Sequence, residues 1–508
     1  MPLQYSNNRI AKNTVYMYLR LFVTLIISLY ISRVVLAVLG VSDYGLYNVV
    51  GGVLALFTFI SSSLGAATTR FLNVEIGKQD GNVNRIFNVN VILHVALAFI
   101  ILLLAETVGL WYVYNKLNVA PGKLGDAVFV YQVSIITSCV GIINTPYSSV
   151  FSAHEKFAFL TFVDIFNYVL RLVCVIAMQY YSGNTLRFFS LIMCVTTASS
   201  FVIYHVYANK WWPEIIKLKR YNEKNIYGQV ISYGGWNLLD TISMMVRNSG
   251  SDLILNKFFG TILNGAFSIS KQLGSRVVNF ASIISGTSSP QITQSYAAGD
   301  MQRCTYLVNK MGRFNLLMFE LLLFPLLIEL DLLLNVWLKD VPDHVLLFTQ
   351  LNLISAFIAV SCGGITNLIA ASDKIKWFKI PYSIIILSCL PILFVLFDHG
   401  AEGYYILVIF MLADVLQRVV QLFLLKKLLG FDSLLYVKEA YLRPFVIAVI
   451  MSVLLYVYSL FSIQALLIRL LAIFFCVIIT ATLVFFYGMT KGERKLVFET
   501  IQKRFKNG

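Results

Sequence analysis

The chain has 508 residues, of which 58% are hydrophobic and only 13% charged, with a formal net charge of +15. A soluble protein of this size carries about twice that charged fraction, and the longest polar intervals, of about twenty residues, are too short to bury a core. A soluble enzyme and a large extramembrane domain are therefore excluded, and the seven cysteines, without any CxxC spacing, read as small packing residues and not as a metal site or disulfide framework.

Stretches of about twenty mostly apolar residues cross the hydrocarbon core as helices. In chain order they fall at 14–39, 45–67, 87–112, 126–151, 160–181, 186–207, 231–256, 263–288, 312–336, 345–370, 378–398, 403–425, 441–462 and 466–488. The expectation is an all-α polytopic membrane protein of fourteen transmembrane helices. The first span is not read as a cleavable signal peptide, because it is long, lacks a small-residue cleavage site and carries Arg20 and Arg33. Gly51-Gly52, Pro146, Gly234-Gly235, Pro325, Gly363-Gly364 and Pro391 lie inside spans. Singly, each is an ordinary membrane-helix residue; as a set they suit helices that bend between two states.

One phrase is written twice. Leu39-Gly40 followed by Gly45-Leu46-Tyr47 returns, 220 residues later, as Phe259-Gly260 followed by Gly265-Ala266-Phe267. Ile76-Gly77-Lys78 is echoed by Ala298-Gly299-Asp300, and Ala153-His154-Glu155-Lys156 by Ala371-Ser372-Asp373-Lys374, at offsets of 222 and 218. Ordered landmarks at one period indicate duplication. Helices 1–6 and 7–12 form the two copies; six is even, so both enter from one side and are related by a pseudo-twofold axis along the membrane normal. The expected segmentation is an N-lobe over 1–221, a C-lobe over 222–430, and helices 13–14 with a basic tail over 431–508. With both termini inside, inner segments hold about 25 Lys and Arg, and outer loops about five: Lys116, Lys123, Arg187, Lys257 and Lys339. The Lys217-Lys219-Arg220 cluster and the Lys491–Lys506 tail read as this topology signal plus attraction to anionic lipid, and not as a nucleic-acid surface.

Ionisable groups at membrane depth cost about 2.5–3.5 kcal/mol each on insertion scales, so they face a partner or a cavity. Near mid-span are Arg171, Asp240, Arg247, Lys271, Arg276, Glu320, Asp414 and Arg418, with Arg33 in the outer third of helix 1. Arg20 reaches the interface by snorkelling. Asp414 and Arg418, spaced i,i+4, can pair, whereas Asp164 and Arg171, like Asp240 and Arg247, stand two turns apart. At the repeat offset Lys271 aligns with Gly51 and Arg276 with Leu56, so the second copy has cations where the first is neutral. Taken singly, each cation reads equally as an interhelical ion pair. Lys271 and Arg276 together favour a cavity, with Arg33, Arg171 and Arg247 completing a cation-lined chamber for an anionic ligand; Arg forks match phosphate oxygens.

Leu39-Gly40-Val41-Ser42-Asp43-Tyr44-Gly45-Leu46-Tyr47 after a first helix is similar to the opening signature of bacterial polysaccharide flippases. So are Phe259-Gly260, Asn264 to Gln272, Pro290-Gln291-Ile292 and Tyr296 to Asp300. The chain resembles, over nearly its whole length, the Wzx-type O-antigen and capsule flippases of the multidrug/oligosaccharidyl-lipid/polysaccharide (MOP) exporter superfamily. The resemblance implies a V-shaped, MATE-like pair of six-helix lobes with alternating access. Its cargo would be an oligosaccharide on an undecaprenyl-type pyrophosphate, moved from the cytoplasmic to the outer leaflet of the bacterial inner membrane. Related lipid II flippases imply a lateral opening flanked by helices 1 and 8 and a groove for the lipid tail at helices 13 and 14. The pyrophosphate would then fall to Arg33, Arg171, Arg247, Lys271 and Arg276, and Asp164, Asp240, Glu320 and Asp414 are candidate ion-coupling sites.

Two other transport readings stand beside it: a MATE-like ion-coupled small-molecule exporter and a lipid II-type flippase. The first needs acidic or apolar surfaces for cationic cargo. A membrane enzyme, such as a polymerase or ligase, needs an outer catalytic surface, and the outer loops hold no Ser/His/Asp set, metal-ligand spacing or phosphate loop. His94, His154, His205, His344 and His399 are scattered polar residues. No cofactor is expected; partners would be the lipid-linked glycan, membrane lipid and the polymerase or ligase that consumes the product.

Overall fold

The computed structural model describes residues 7–116, 122–338, 340–461 and 465–495, and among these the side chains of 41, 42, 49 and 51–58 are not described. Lys339 and most of the basic tail lie outside the described residues, as do the side chains of Gly51-Gly52 and of Val41-Ser42 in the flippase-like signature. Helices dominate and no strand occurs among the described residues. In order they are α1 (Asn7–Gly77), α2 (Val83–Leu104), α3 (Leu110–Asn115), α4 (Leu124–Ala153), α5 (Phe157–Met178), α6 (Thr185–Trp211), α7 (Pro213–Ile216), α8 (Lys224–Ala297) and α9 (Met301–Ile328). They continue as α10 (Leu330–Leu338), α11 (Val345–Val360), α12 (Gly363–Ala371), α13 (Ile375–Asp398), α14 (Tyr405–Leu429), α15 (Ser433–Tyr436), α16 (Leu442–Ser459) and α17 (Leu466–Leu483). Single π-helical turns at Ala105–Gly109, Val437–Tyr441 and Val484–Gly488 join or extend α2–α3, α15–α16 and α17.

Among the described residues, ten helices are long and apolar enough to cross a membrane, and α11 with α12, bent by 44°, makes an eleventh if the bent pair is one span. The expected spans 45–67, 231–256 and 263–288 are not in that set, so the count of fourteen is not reached on these criteria. The latter two are interrupted by Asp240, Arg247, Asp252, Lys271 and Arg276, and the first runs through residues whose side chains are not described. The bend between α11 and α12 falls beside Gly363-Gly364. A Cβ on Gly363 would collide with Asn315 Nδ2, and one on Gly364 with the Val308 carbonyl oxygen, so these glycines permit close contact with α9. Cys304 is buried in the first turn of α9.

Two of the three repeat landmarks have the same backbone job at both positions. Gly40 (φ 74°, ψ 169°) breaks α1, and Gly260 (φ 77°, ψ −170°) breaks α8. This region of dihedral space is open essentially to glycine alone. Gly45 and Gly265 are helical beyond the break. α4 ends at Ala153 and α5 starts at Phe157; α12 ends at Ala371 and α13 starts at Ile375, which is the third landmark at its offset. Gly77 differs from its echo: a Cβ there would meet the Gln294 carbonyl oxygen at 2.5 Å, whereas Gly299 takes a positive φ of 77°. We expect Gly40→Ala and Gly260→Ala each to cost about 1–3 kcal/mol from backbone strain alone, since no side chain would be met at either position. Gly45→Ala and Gly265→Ala, in open helical positions, should be neutral or stabilising. Thermal unfolding in detergent checks this; equal stability of all four variants would remove the backbone breaks.

The chain forms two compact units, 1–241 with 293–300 and 242–292 with 301–508. In the first, α4 packs on α1, α2 and α6, and α5 packs on α1 and α6, around Val35, Tyr131, Val175, Leu186 and Phe189. Gln294 ties this unit together, donating to Asn73 Oδ1 (3.0 Å) and the Ala153 carbonyl oxygen (2.8 Å). In the second, α9 is the central helix: 61% of its most apolar stretch is buried, against 39% or less in the other nine. It packs on α11, α12, α16 and α17 through Leu317, Phe324, Leu353, Ile447 and Cys476. A separate cluster of Leu255, Phe267, Phe348, Phe397 and Phe410 joins α8, α11, α13 and α14.

Candidate substrate site

The intramembrane charges divide into paired and unpaired groups. In the first unit, Arg20 Nε lies 2.9 Å from Asp164 Oδ2, each about one-third exposed. Arg20 is therefore held across α1 and α5 and is not simply snorkelling, and Asp164 is committed to it. Arg171 is half-buried on α5, with its guanidinium 5.5 Å from the Tyr168 ring and its Nε without a hydrogen-bond partner. Arg33 is exposed on α1 and makes no hydrogen bond or ion pair among the described residues. Asp240 is partly buried in α8 and engaged with its surroundings.

In the second unit, Arg247 of α8 meets Asp414 of α14 fork to fork, Nη1 to Oδ1 at 2.8 Å and Nη2 to Oδ2 at 3.0 Å. Their side chains are 14% and 6% exposed, and the Phe410 ring lies 4.3 Å from the guanidinium. Bidentate geometry is the strongest form of this contact. Asp414 thus pairs with Arg247 and not with Arg418, whose Nη1 donates to Gln421 Oε1 at 2.6 Å. Lys271 donates to Asp252 Oδ1 at 2.6 Å and stands 4.6 Å from the Phe267 ring centre. Arg276 is exposed and, like Arg33, makes no hydrogen bond or ion pair among the described residues. Glu320 is fully buried in α9 with neither carboxylate oxygen hydrogen-bonded.

Asp252 escaped the sequence reading. Its distance from Gly260, eight residues before the break against eleven after it for Lys271, was the available signal, because a sharp reversal at Gly260 brings such positions level. Glu329 and Arg469 were also missed. They form an ion pair (2.6 Å from Arg469 Nε to Glu329 Oε2) that also takes the Tyr458 hydroxyl. This cluster closes the polar end of an open cavity of about 810 Å³, otherwise walled by Leu351, Ile354, Leu455 and Tyr456. A second, apolar cavity of about 400 Å³ between α11 and α16 shares Tyr456 and is lined by Phe357, Phe445 and Val449. Together they make a groove with an apolar length and a charged end, suited to an amphiphile. No group of His, Cys, Asp and Glu able to hold a metal ion occurs among the described residues.

No protein-family model and no curated protein matches the sequence. The structure does match solved transporters. A MATE transporter carrying a single proline-to-alanine substitution aligns with a TM-score of 0.71 at 11% identity, over 83% of this chain and 96% of its own. A MOP superfamily transporter from Pyrococcus furiosus, described as having a binding pocket of reverse polarity, aligns with a TM-score of 0.65 at 11% identity, over 81% and 94%. The Vibrio cholerae MATE transporter VcmN, as an aspartate-to-asparagine mutant, aligns with a TM-score of 0.64 at 15% identity, over 83% and 97%. The chain therefore has a MATE-like fold, and its long apolar helices mark it as a multi-pass membrane protein.

Proposed function

We propose that the chain is a flippase that carries a polyprenyl-pyrophosphate-linked oligosaccharide, an O-antigen or capsule repeat unit, from the cytoplasmic to the outer leaflet of the bacterial inner membrane by alternating access. Both termini are cytoplasmic in this reading. It is supported by the transporter fold, by the flippase-like signatures at 39–47 and 259–300, and by the groove along α11 and α16, which suits a lipid tail. The observation that carries it is the exposed Arg276, with no acidic partner among the described residues, on the same helix as Lys271. A cation held without a carboxylate at membrane depth calls for an anion from outside the protein.

In the second unit Lys271 and Arg276 would meet the pyrophosphate first; Arg33 and Arg171, in the first unit, are the other proposed contacts. Arg247 offers only what its bidentate contact with Asp414 leaves free. Because these cations are already in place, they offset the desolvation of the phosphates without reorganising. Several moderate contacts also allow release outside, where a polymerase or ligase consumes the product. Movement without an ATP motif draws on an ion gradient, for which Asp164, Asp240, Glu320 and Asp414 are candidates, or on that consumption.

The second reading, an ion-coupled exporter of small molecules, is favoured by the MATE identity of the structural neighbours. The reverse polarity described for the Pyrococcus furiosus transporter's binding pocket is said to suggest a different function for that protein, and a cationic transport site would be a comparable departure here. Deletion in the native host separates the two. The flippase reading expects loss of surface glycan and accumulation of its lipid-linked precursor, with unchanged sensitivity to cationic drugs. Intact surface glycan with raised drug sensitivity would replace it by the exporter.

A further inference from the structure

The second unit keeps one carboxylate where carboxylates are most costly. Glu320 is fully buried, and both its oxygens lack a hydrogen-bond partner. Its neighbours along α9, Leu316, Leu317, Phe319, Leu323 and Phe324, are buried too. The face it occupies follows from the helical period. Asn309 donates to Glu439 at 2.8 Å, Arg313 pairs with Glu493 at 2.5 Å, and Leu317 lies against Gly488, where an added Cβ would meet its Cδ2 at 2.7 Å. Positions 309, 313, 317 and 320 line one stripe, so Glu320 is on the stripe that meets the C-terminal helices.

The elements packed against α9 bring few charges to this level. α11 and α12 carry none. α10 carries Asp331, which is largely exposed and lies 3.5 Å from Arg469. The turn before α16 carries Lys438, exposed, Glu439, bound to Asn309, and Tyr441, which donates to the Ser361 carbonyl oxygen. α16 carries Arg443 in its first turn, and Tyr456 and Tyr458 in its last. α17 carries Arg469, paired with Glu329, and the neutral thiol Cys476; the turn after it carries Tyr487. On the stretch of α8 after Gly260 the cations are Lys271, paired with Asp252, and Arg276; before it, Arg247 is held by Asp414. The cation nearest along the same stripe is Arg313, two turns away and held by Glu493. The seam is thus latched at both ends, by Arg313–Glu493 and by Glu329–Arg469, with Glu320 sealed between.

An unpaired carboxylate in such surroundings is far costlier than the neutral acid, so the group carries its proton here. We propose that Glu320 is a proton-binding site, loaded while the α16–α17 pair is closed on α9 and exchanging its proton when that seam opens, so that proton binding is linked to movement of the C-terminal helices. The proposal rests on the transporter reading but not on the identity of the cargo.

The test uses the full chain in phospholipid vesicles with dicyclohexylcarbodiimide, an apolar reagent for protonated carboxyl groups. At about neutral pH, Glu320 should form the adduct, found by mass spectrometry, and an infrared band of a protonated carboxyl should vanish in Glu320→Gln. Joining Asn309→Cys to Glu439→Cys with a short thiol cross-linker, on a background lacking the native cysteines, should slow adduct formation about tenfold or more, because labelling needs local opening. Glu320→Gln should also flatten the pH dependence of glycan export, and Glu320→Asp should restore part of it. No adduct and no band difference would overturn the proton site. Unslowed labelling in the cross-linked protein would overturn the seam, and wild-type pH dependence in Glu320→Gln would overturn the link to transport. Labelling and infrared need no cargo, so absence of glycan export by the wild-type chain would sink only the flippase reading.

Discussion

Asp414→Ala is expected to destabilise the second unit by about 3–5 kcal/mol, because it leaves the Arg247 guanidinium buried without its counter-charge. Arg247→Ala strands Asp414 in the same way. The pair has the geometry for so large an effect: two parallel contacts at 2.8 and 3.0 Å, nearly complete burial, and an aromatic ring beside the guanidinium. The combined replacement Arg247→Met with Asp414→Leu removes both charges and should recover most of the stability, since a buried ion pair adds little over apolar side chains that fill its volume. Thermal unfolding and folded yield in detergent measure this. The double variant also separates two roles for Arg247. If the arginine only braces α8 against α14, the stable double variant exports glycan normally; if its remaining N–H groups also hold the pyrophosphate, export stays low. Stability of Asp414→Ala equal to the wild type would mean that the pair does not hold the helices.

The second large effect is expected at Lys271 and Arg276. A charge-assisted contact to phosphate is worth about 1.5–3 kcal/mol, so each alanine should lower export about tenfold or more, with normal protein levels. Glutamate at either position should be worse, because it repels the phosphates directly. Lys271 also pairs with Asp252, which offers a control. Both side chains are a quarter to a third exposed, so breaking that pair alone has a small cost. Asp252→Asn frees Lys271 and should leave export intact, whereas Lys271→Ala should not. Equal losses from both would assign Lys271 to the pair and not to cargo.

The paired backbone breaks and helix junctions were legible because they are written in backbone chemistry. Gly40 and Gly260 are the residues that a φ near +75° demands, and the junctions after Ala153 and Ala371 fall in register with the same offset. The helical class and the membrane were legible from apolarity alone. The span count was less so: the segments around Asp240 to Asp252 and Lys271 to Arg276 mix charged and small polar residues into their apolar runs, and only their packing can say what they do. The partners of the intramembrane charges were not legible at all. Arg247 and Asp414 are 167 residues apart, and Arg20 and Asp164 are 144 apart; the local spacing of Asp414 and Arg418 suggested a pair that the fold does not make. The isolation of Glu320 is likewise a property of the helices gathered around α9, which no local pattern records.

The central claim, that the chain moves a pyrophosphate-linked glycan lipid across the bilayer, is tested most directly in proteoliposomes holding the purified chain and a polyprenyl-pyrophosphate oligosaccharide. Accessibility of the glycan to an added sugar-modifying enzyme reports the leaflet. The account predicts that the wild-type chain equilibrates the glycan between leaflets, that the double variant Lys271→Ala with Arg276→Ala does so about tenfold or more slowly, and that a glycan lipid lacking the pyrophosphate moves poorly through both. Equal movement of both lipids, or a double variant as fast as the wild type, would contradict pyrophosphate recognition by these cations, and no movement by the wild-type chain would contradict the flippase itself.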